Sequence, residues 1–184
     1  MYLYIEDITL DDLKKFTDKL ENLKENENVH IYIASNGGEV SVMEQLKYII
    51  NSLDNVDVFV EAVWSCAVDL IMGIRHKLRL FSDTYAICHH SALSLPMITK
   101  NKARGKVNQS KLDSLYEILP EYTKFFTEKE LEDYKNGLDI YLNTKRVVEM
   151  LWDKVLEVQY YGNKKSAYSC TGDDLISPEK PIQS

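Results

Sequence analysis

VDVFVEAVWSCAVDLIMGIRHKLRLFSDTYAICHHS, residues 56–91, decides how this chain folds. Val56, Val58 and Val60 alternate with Asp57, Phe59 and Glu61, a β-branched run that predicts a strand entering the core and ending near Ala62. Ser65 to Gly73 is apolar on nearly every side, with Asp69 as its one charge, which predicts a helix buried on most of its circumference. Arg79 to Phe81 and Tyr85 to Cys88 return to β-rich composition, and the second segment delivers His89 and His90 at its end. Strand, buried helix, strand is the repeating unit of an α/β fold.

A serine at the first turn of a buried helix sits where free backbone N–H groups and the positive end of the helix dipole converge, a setting that favours developing oxyanions. Serine is also a preferred N-cap, so position alone leaves Ser65 a purely capping role. Strand ends display reactive groups in α/β folds, and His89 and His90 stand at such an end. A nucleophilic serine needs a base within hydrogen-bond reach, and histidine has an ordinary pKa suited to the task. A structural histidine pair is the alternative. Neighbouring side chains on a strand face opposite ways, so only one of the two can address Ser65.

Upstream, His30 to Ala34 predicts a strand that runs into Ser35-Asn36-Gly37-Gly38, and Val40 to Ile50 predicts a helix. Paired glycines at such a turn let the backbone approach a ligand closely with N–H groups exposed. The spacing matches neither GxGxxG nor a GK[ST] ending, which weighs against a nucleotide loop. Met1 to Ile5 alternates as a first strand, and Thr9 caps an amphipathic helix carrying Leu10, Leu13, Phe16, Leu20 and Leu23. His30 and His76 read as structural or surface residues.

Downstream, Ser91 to Gln109 holds Pro96, Gly105 and the basic residues Lys100, Lys102, Arg104 and Lys106, and reads as a loop or arm. Leu112, Leu115, Tyr116 and Leu119 give a short helical face stopped by Pro120. Thr127 opens a capped helix ending near Gly137, and Asn143 caps another that ends at Leu151. Residues 152–159 read as helical. The expected organisation is one domain over residues 1–160 and a polar tail over 161–184, the tail partly disordered.

Helix-borne Ser65 in VWSCAVDLIMG, His89 in YAICHH and the upstream IYIASNGGEV together resemble the proteolytic subunit of the Clp protease, a serine peptidase of the crotonase-like fold. Ser65, His89 and the pair Gly37-Gly38 fall on that family's motif positions. The likeness runs from about Tyr2 to Leu151 and is densest between His30 and His90. Glu61, Val63 and Trp64 replace the family's Gly, Ala and Ala before the serine, while Cys66 and Ala67 replace Met and Gly. The resemblance implies an α/β, crotonase-like (ClpP-like) core of stacked βα units with a helical arm. It implies Ser65 as nucleophile, His89 as base, and an oxyanion hole formed by the Gly37 and Cys66 N–H groups. The family's triad aspartate lies between two helices about 50 residues after the histidine; Asp139 fits that separation. Asp133 is the rival, and helix phase does not choose between them.

By the same resemblance the expected activity is serine endopeptidase hydrolysis of peptides or unfolded proteins inside a homo-oligomeric ring, with no cofactor and no metal. An ATP-dependent unfoldase is the partner the family implies. The first strand begins at the initiating methionine, so the family's axial-loop segment is expected to be missing, which weighs against that partner. A catalytically silent ring component is the alternative, motivated by the bulk of Trp64. An acyl-CoA enzyme on the same fold would need the oxyanion N–H groups but no Ser-His pair.

Composition narrows the rest. The 184 residues hold 29 Asp and Glu against 22 Lys and Arg, a net charge of −7, which argues against nucleic acid as the main partner. No apolar run approaches the roughly 20 residues of a membrane helix, and MYLYIEDITL lacks a basic n-region and a cleavage site. A cytoplasmic protein without membrane association is expected. Cys66, Cys88 and Cys170 form an odd set without CxxC spacing, which suits free thiols in a reducing compartment. Twelve tyrosines suit an interface, where one end of the ring packs and the other hydrogen-bonds.

Overall fold

Alternation of β-branched and polar residues sets the sheet, and the computed structural model describes it over residues 1–89, 119–162 and 166–169. The order is β1 (Tyr2–Ile5), α1 (Leu10–Leu20), β2 (Val29–Ser35), α2 (Val40–Ser52), β3 (Val56–Trp64), α3 (Cys66–Gly73) and β4 (Leu78–Cys88). A 3-10 helix (Glu121–Phe125), α4 (Glu128–Lys135), β5 (Ile140–Leu142), α5 (Thr144–Met150), β6 (Val155–Gly162) and β7 (Ser166–Ser169) follow. The expected arm over Ser91 to Gln109, the face from Leu112 to Leu115, His90, Cys170 and the tail beyond residue 169 lie outside the described residues.

The strands form one sheet in the order β1-β2-β3-β4-β6-β7, with β5 attached to the end of β4. β1, β2, β3, β4 and β6 run parallel, while β5 and β7 are antiparallel to their partners. Parallel neighbours need crossover connections, and α1, α2 and α3 supply the first three. The inward residues Leu3 and Ile5, Val29, Ile31 and Ile33, and Val58 and Val60 are all at most 3% exposed. Each such burial contributes about 1.5–3 kcal/mol. The expected α/β core of stacked βα units is the one observed, with α3 buried through Ala67, Val68, Leu70 and Ile71.

Capping signals hold. Thr9 accepts from the Asp12 N–H at 3.2 Å, Thr127 and Glu130 form a capping box, and the Asn143 side chain accepts from the Arg146 N–H at 3.1 Å. α1 stops at Leu20 rather than Leu23.

Two boundaries differ from the sequence reading for one reason. β3 and β4 pair at Val60 with Leu80 and then at Ala62 with Tyr85, so one residue of β3 faces four of β4. The bulge shifts the inward phase of β3 from Val58 and Val60 to Val63, so β3 reads as ending early. β4 keeps its phase through Leu78, Leu80, Thr84, Ala86 and Cys88, but the more exposed Ser82-Asp83 inside the bulge makes one long strand look like two segments. Thr84, fully buried, closes it: its hydroxyl accepts from the Phe81 N–H at 2.8 Å and donates to the Val60 carbonyl at 2.7 Å.

Residues 155–162 are a strand, not the continuation of a helix. Val155, Val158 and the Tyr160-Tyr161 pair suit a strand, and parallel pairing of Leu78 with Val155 recruits them to the sheet. β6 crosses the expected domain boundary at residue 160, and β7 pairs with it from Gln159–Ser169 to Gly162–Ser166.

The outward face of β1–β4 is aromatic. Tyr4, Tyr32 and Phe59 stack in sequence with centroids 5.4 and 4.6 Å apart, and Tyr2 stacks on His30 at 5.1 Å. Beside them Arg79 donates to Asp57 and Glu157. Tyr2 and Tyr4 remain 58% and 60% exposed.

Thr84→Val keeps the shape of the side chain and removes both bonds that close the bulge. Urea denaturation should show a loss of about 2–3 kcal/mol for two buried hydrogen bonds. A loss under about 0.5 kcal/mol contradicts this account of the bulge.

Candidate active site

The Gly37-Gly38 turn is clamped to the segment after β1. Asn36 N–H donates to Glu6 at 3.1 Å, Ile8 N–H to Gly37 at 2.9 Å, and Glu39 N–H to Ile8 at 2.8 Å. A Cβ on Gly38 would stand 2.3 Å from the Ile8 carbonyl oxygen. Gly37 has φ +87°, and a Cβ there would stand 2.7 Å from both Ser65 Cβ and the Trp64 carbonyl oxygen. Glycine at both positions therefore lets the turn press directly on Ser65. The Gly37 N–H points to the hydroxyl of buried Ser35 at 3.2 Å.

Ser65 joins β3 to α3 at φ 57°, ψ −133°, and its side chain makes no capping bond. Asn26 and Asn55 are the other described non-glycine residues at positive φ, and asparagine tolerates that region. Serine does not, and a strained strand-to-helix turn is the way α/β folds expose a nucleophile. The Ser65 N–H donates to the Ile87 carbonyl at 3.0 Å, tying this turn to the end of β4. His89, the next residue after β4, places Nε2 at 2.7 Å from Ser65 Oγ. Cys66 opens α3, so its N–H has no acceptor within the helix.

Asp139 precedes β5, and β5 pairs antiparallel with the end of β4 through Ile140 and Cys88. That register sets the Asp139 backbone opposite His89. Its carboxylate is exposed, and among the described residues no carboxylate is hydrogen-bonded or ion-paired to the His89 ring. Asp133 lies on α4, where its carbonyl accepts from Leu138 and Asn136. Two tyrosines escaped the sequence reading: the Tyr134 hydroxyl donates to the His89 carbonyl at 3.2 Å and lies 3.1 Å from the Tyr122 hydroxyl. The available signal was an aromatic ring in a helix charged at every position but Leu131 and its own, EKELEDYK, of which Tyr134 alone is buried.

Neither neighbouring thiol competes with Ser65. Burial pushes the Cys66 thiol up, and it pushes the Cys88 thiol up to about 12. Cys66 Sγ donates to the Gly38 carbonyl at 3.5 Å. Asp69, one helical turn beyond Ser65, has its carboxyl pushed up to about 6, first by burial and then by Glu44, with Lys47 drawing it back. Trp64, 39% exposed, contributes its carbonyl to the Gly37 contact. Among the described residues no group of His, Cys, Asp and Glu could hold a metal ion, and no helix is long and apolar enough to cross a membrane.

No protein-family model matches the chain, and no curated protein matches its sequence. Solved structures do match its fold. A ClpP1 point mutant from Listeria monocytogenes superposes with a TM-score of 0.53 at 18% identity, over 87% of this chain and 91% of that one. The catalytic domain of the ClpP protease from Plasmodium falciparum gives 0.54 at 17%, over 90% and 86%. A further peptidase from Plasmodium falciparum gives 0.55 at 14%, over 85% and 94%. The fold is thus ClpP-like across most of the chain.

The raised Asp69 carboxyl fixes a sign for pH dependence. An unfolded aspartate releases its proton near 3.9, whereas the folded one holds it to about 6, so stability falls as pH rises through that interval. Asp69→Asn should flatten this interval and be more stable than wild type at pH 7 by about 1–2 kcal/mol, after discounting for partial exposure. Urea titrations at pH 4, 5, 6 and 7 measure it. An asparagine variant with the wild-type slope contradicts the assignment.

Proposed function

We propose that this chain is a serine endopeptidase acting on peptides or unfolded proteins, with Ser65 as nucleophile and His89 as its base. The 2.7 Å contact between Ser65 Oγ and His89 Nε2 carries the reading. With the imidazole proton on Nδ1, Nε2 accepts the hydroxyl proton as Oγ attacks the peptide carbonyl. The imidazolium then returns that proton to the departing amine, leaving an ester on Ser65. Water attacks the ester by the same route in reverse, releasing the acid and restoring Oγ–H.

The carbonyl oxygen becomes an anion in the tetrahedral intermediate. The Gly37 and Cys66 N–H groups flank Ser65 and serve as its oxyanion hole, Gly37 exchanging its long bond to Ser35 for the stronger charged acceptor. Asp139 is the orienting acid in this reading. Its position opposite His89 supports the role, and catalytic hydrogen bonds commonly tighten only in the substrate complex. The proposal includes a homo-oligomeric ring, supported by the exposed aromatic sheet face. It also includes a cytoplasmic location, supported by the free thiols of Cys66 and Cys88.

A catalytically silent ring component is the second reading. The observation favouring it is that the His89 ring bonds to Ser65 alone among the described residues, with no carboxylate on Nδ1.

One set of proteins separates these readings. Wild type should react with a fluorophosphonate on Ser65, located by peptide mass spectrometry, and Ser65→Ala should not react. Asp139→Asn should cut turnover of a small peptide by about 10³–10⁴-fold, while Asp133→Asn stays near wild type. A folded wild type that never labels supports the silent component, and the reverse order of the two asparagine variants assigns the acid to Asp133.

A further inference from the structure

We propose that Tyr134 is a positioning residue for His89, holding the backbone beyond β4 by its carbonyl so that the imidazole stays in reach of Ser65. The kinetic part of this inference rests on the serine peptidase reading; the structural part does not. β4 is secured by its neighbours only as far as Trp64–Ile87 on one side and Cys88–Ile140 on the other. His89 is the first residue past both ladders. Its carbonyl is taken up instead by the Tyr134 hydroxyl at 3.2 Å, reaching across from α4.

The tyrosine cannot swing away. Tyr134 is 1% exposed and packs edge-on against Phe126 and Tyr122 with centroids 5.6 and 6.2 Å apart. Its single proton goes to His89, so the 3.1 Å contact with Tyr122 has Tyr122, itself 2% exposed, as donor. Burial and that donation both raise the Tyr122 hydroxyl far above the ordinary tyrosine range, so the donor keeps its proton. The result is a directional chain, Tyr122 to Tyr134 to the His89 carbonyl. It joins the 3-10 helix and α4 to the backbone segment whose side chain hydrogen-bonds Ser65. Catalytic geometry is sensitive on this scale, since a misplacement of about 1 Å can cost about 10²-fold in rate.

Tyr134→Phe removes the donor and keeps the ring; Tyr122→Phe leaves the donation to His89 intact. Nitrogen-15 NMR of the histidine rings, assigned with His89→Gln, reads the His89 tautomer and exchange directly, and fluorophosphonate labelling reads the kinetic consequence. Tyr134→Phe should shift or broaden the His89 ring signals and slow labelling of Ser65 about five- to tenfold, with a smaller change in Tyr122→Phe. Changed His89 signals in Tyr134→Phe, beside a wild type that never labels, uphold the positioning role while the peptidase reading fails. Unchanged His89 signals in a folded Tyr134→Phe overturn the proposal, as does an effect of Tyr122→Phe exceeding that of Tyr134→Phe.

Discussion

Ser65 is held at φ 57°, ψ −133° between a strand and a buried helix, a conformation that costs a non-glycine residue about 1–3 kcal/mol. Such strain persists only where the surroundings over-determine it. Here they do so from three directions. Behind Ser65, α3 is anchored by fully buried Ala67, Val68, Leu70 and Ile71. Beside it, the N–H of Ser65 is bonded to Ile87 of β4. In front, Gly37 fills the space that any side chain at position 37 would contest. Releasing the strain would break the β3–β4 edge or displace the Gly-Gly turn, so the serine stays where His89 meets it.

The remainder of the sheet maintains those three constraints. The Gly37-Gly38 turn sits at the right height because Glu6 and Ile8 hold it by backbone bonds, which makes β1 part of the site's support. The Thr84-closed bulge lets β3 and β4 leave their regular register and still end side by side, with Trp64 opposite Ile87. Thr144, at the start of α5, shares its one hydroxyl proton between the Ser82 and Thr84 carbonyls, each 2.8 Å away, and so fixes the same bulge from the other side. Lys154 ties the start of β6 to the carbonyls of Met72 and Ile74 at the end of α3. Local strain at one residue is thus distributed over elements that are far apart in sequence.

Much of this was legible in the residues. Strict alternation in β1 and β2, the uniformly apolar α3 and the caps at Thr9, Thr127 and Asn143 are local signals, and local signals survive tertiary folding. The single strand β4 was not legible, because Ser82-Asp83 interrupts its apolar pattern and the bulge that carries it past them is closed by a threonine bond to Val60, more than twenty residues away. β6 was misread for the same cause: residues 155–159 carry no turn signal after α5, and only pairing with β4 makes them a strand. The Ser65–His89 pair was readable from chemistry and family likeness, whereas the choice of acid was not. Helix phase left Asp133 as the rival of Asp139; the structure carries the Asp139 backbone opposite His89 through the short strand β5 and leaves Asp133 on α4, and among the described residues it brings neither carboxylate to the imidazole. Tyr134 was hidden because a charged helix reads as solvated, and its role appears only when α4 docks beside β4.

The central claim is that Gly37, Ser65, Cys66 and His89 form one reactive centre on a ClpP-like fold. The structure of a phosphonate adduct tests it most directly, because the tetrahedral phosphorus imitates the intermediate and its oxygen shows where charge would develop. The account predicts phosphorus on Ser65 Oγ, with the phosphoryl oxygen about 2.7–3.1 Å from the Gly37 and Cys66 nitrogens and His89 Nε2 still beside Oγ. Phosphorus on another residue, or an oxygen turned to solvent away from both nitrogens, would contradict it.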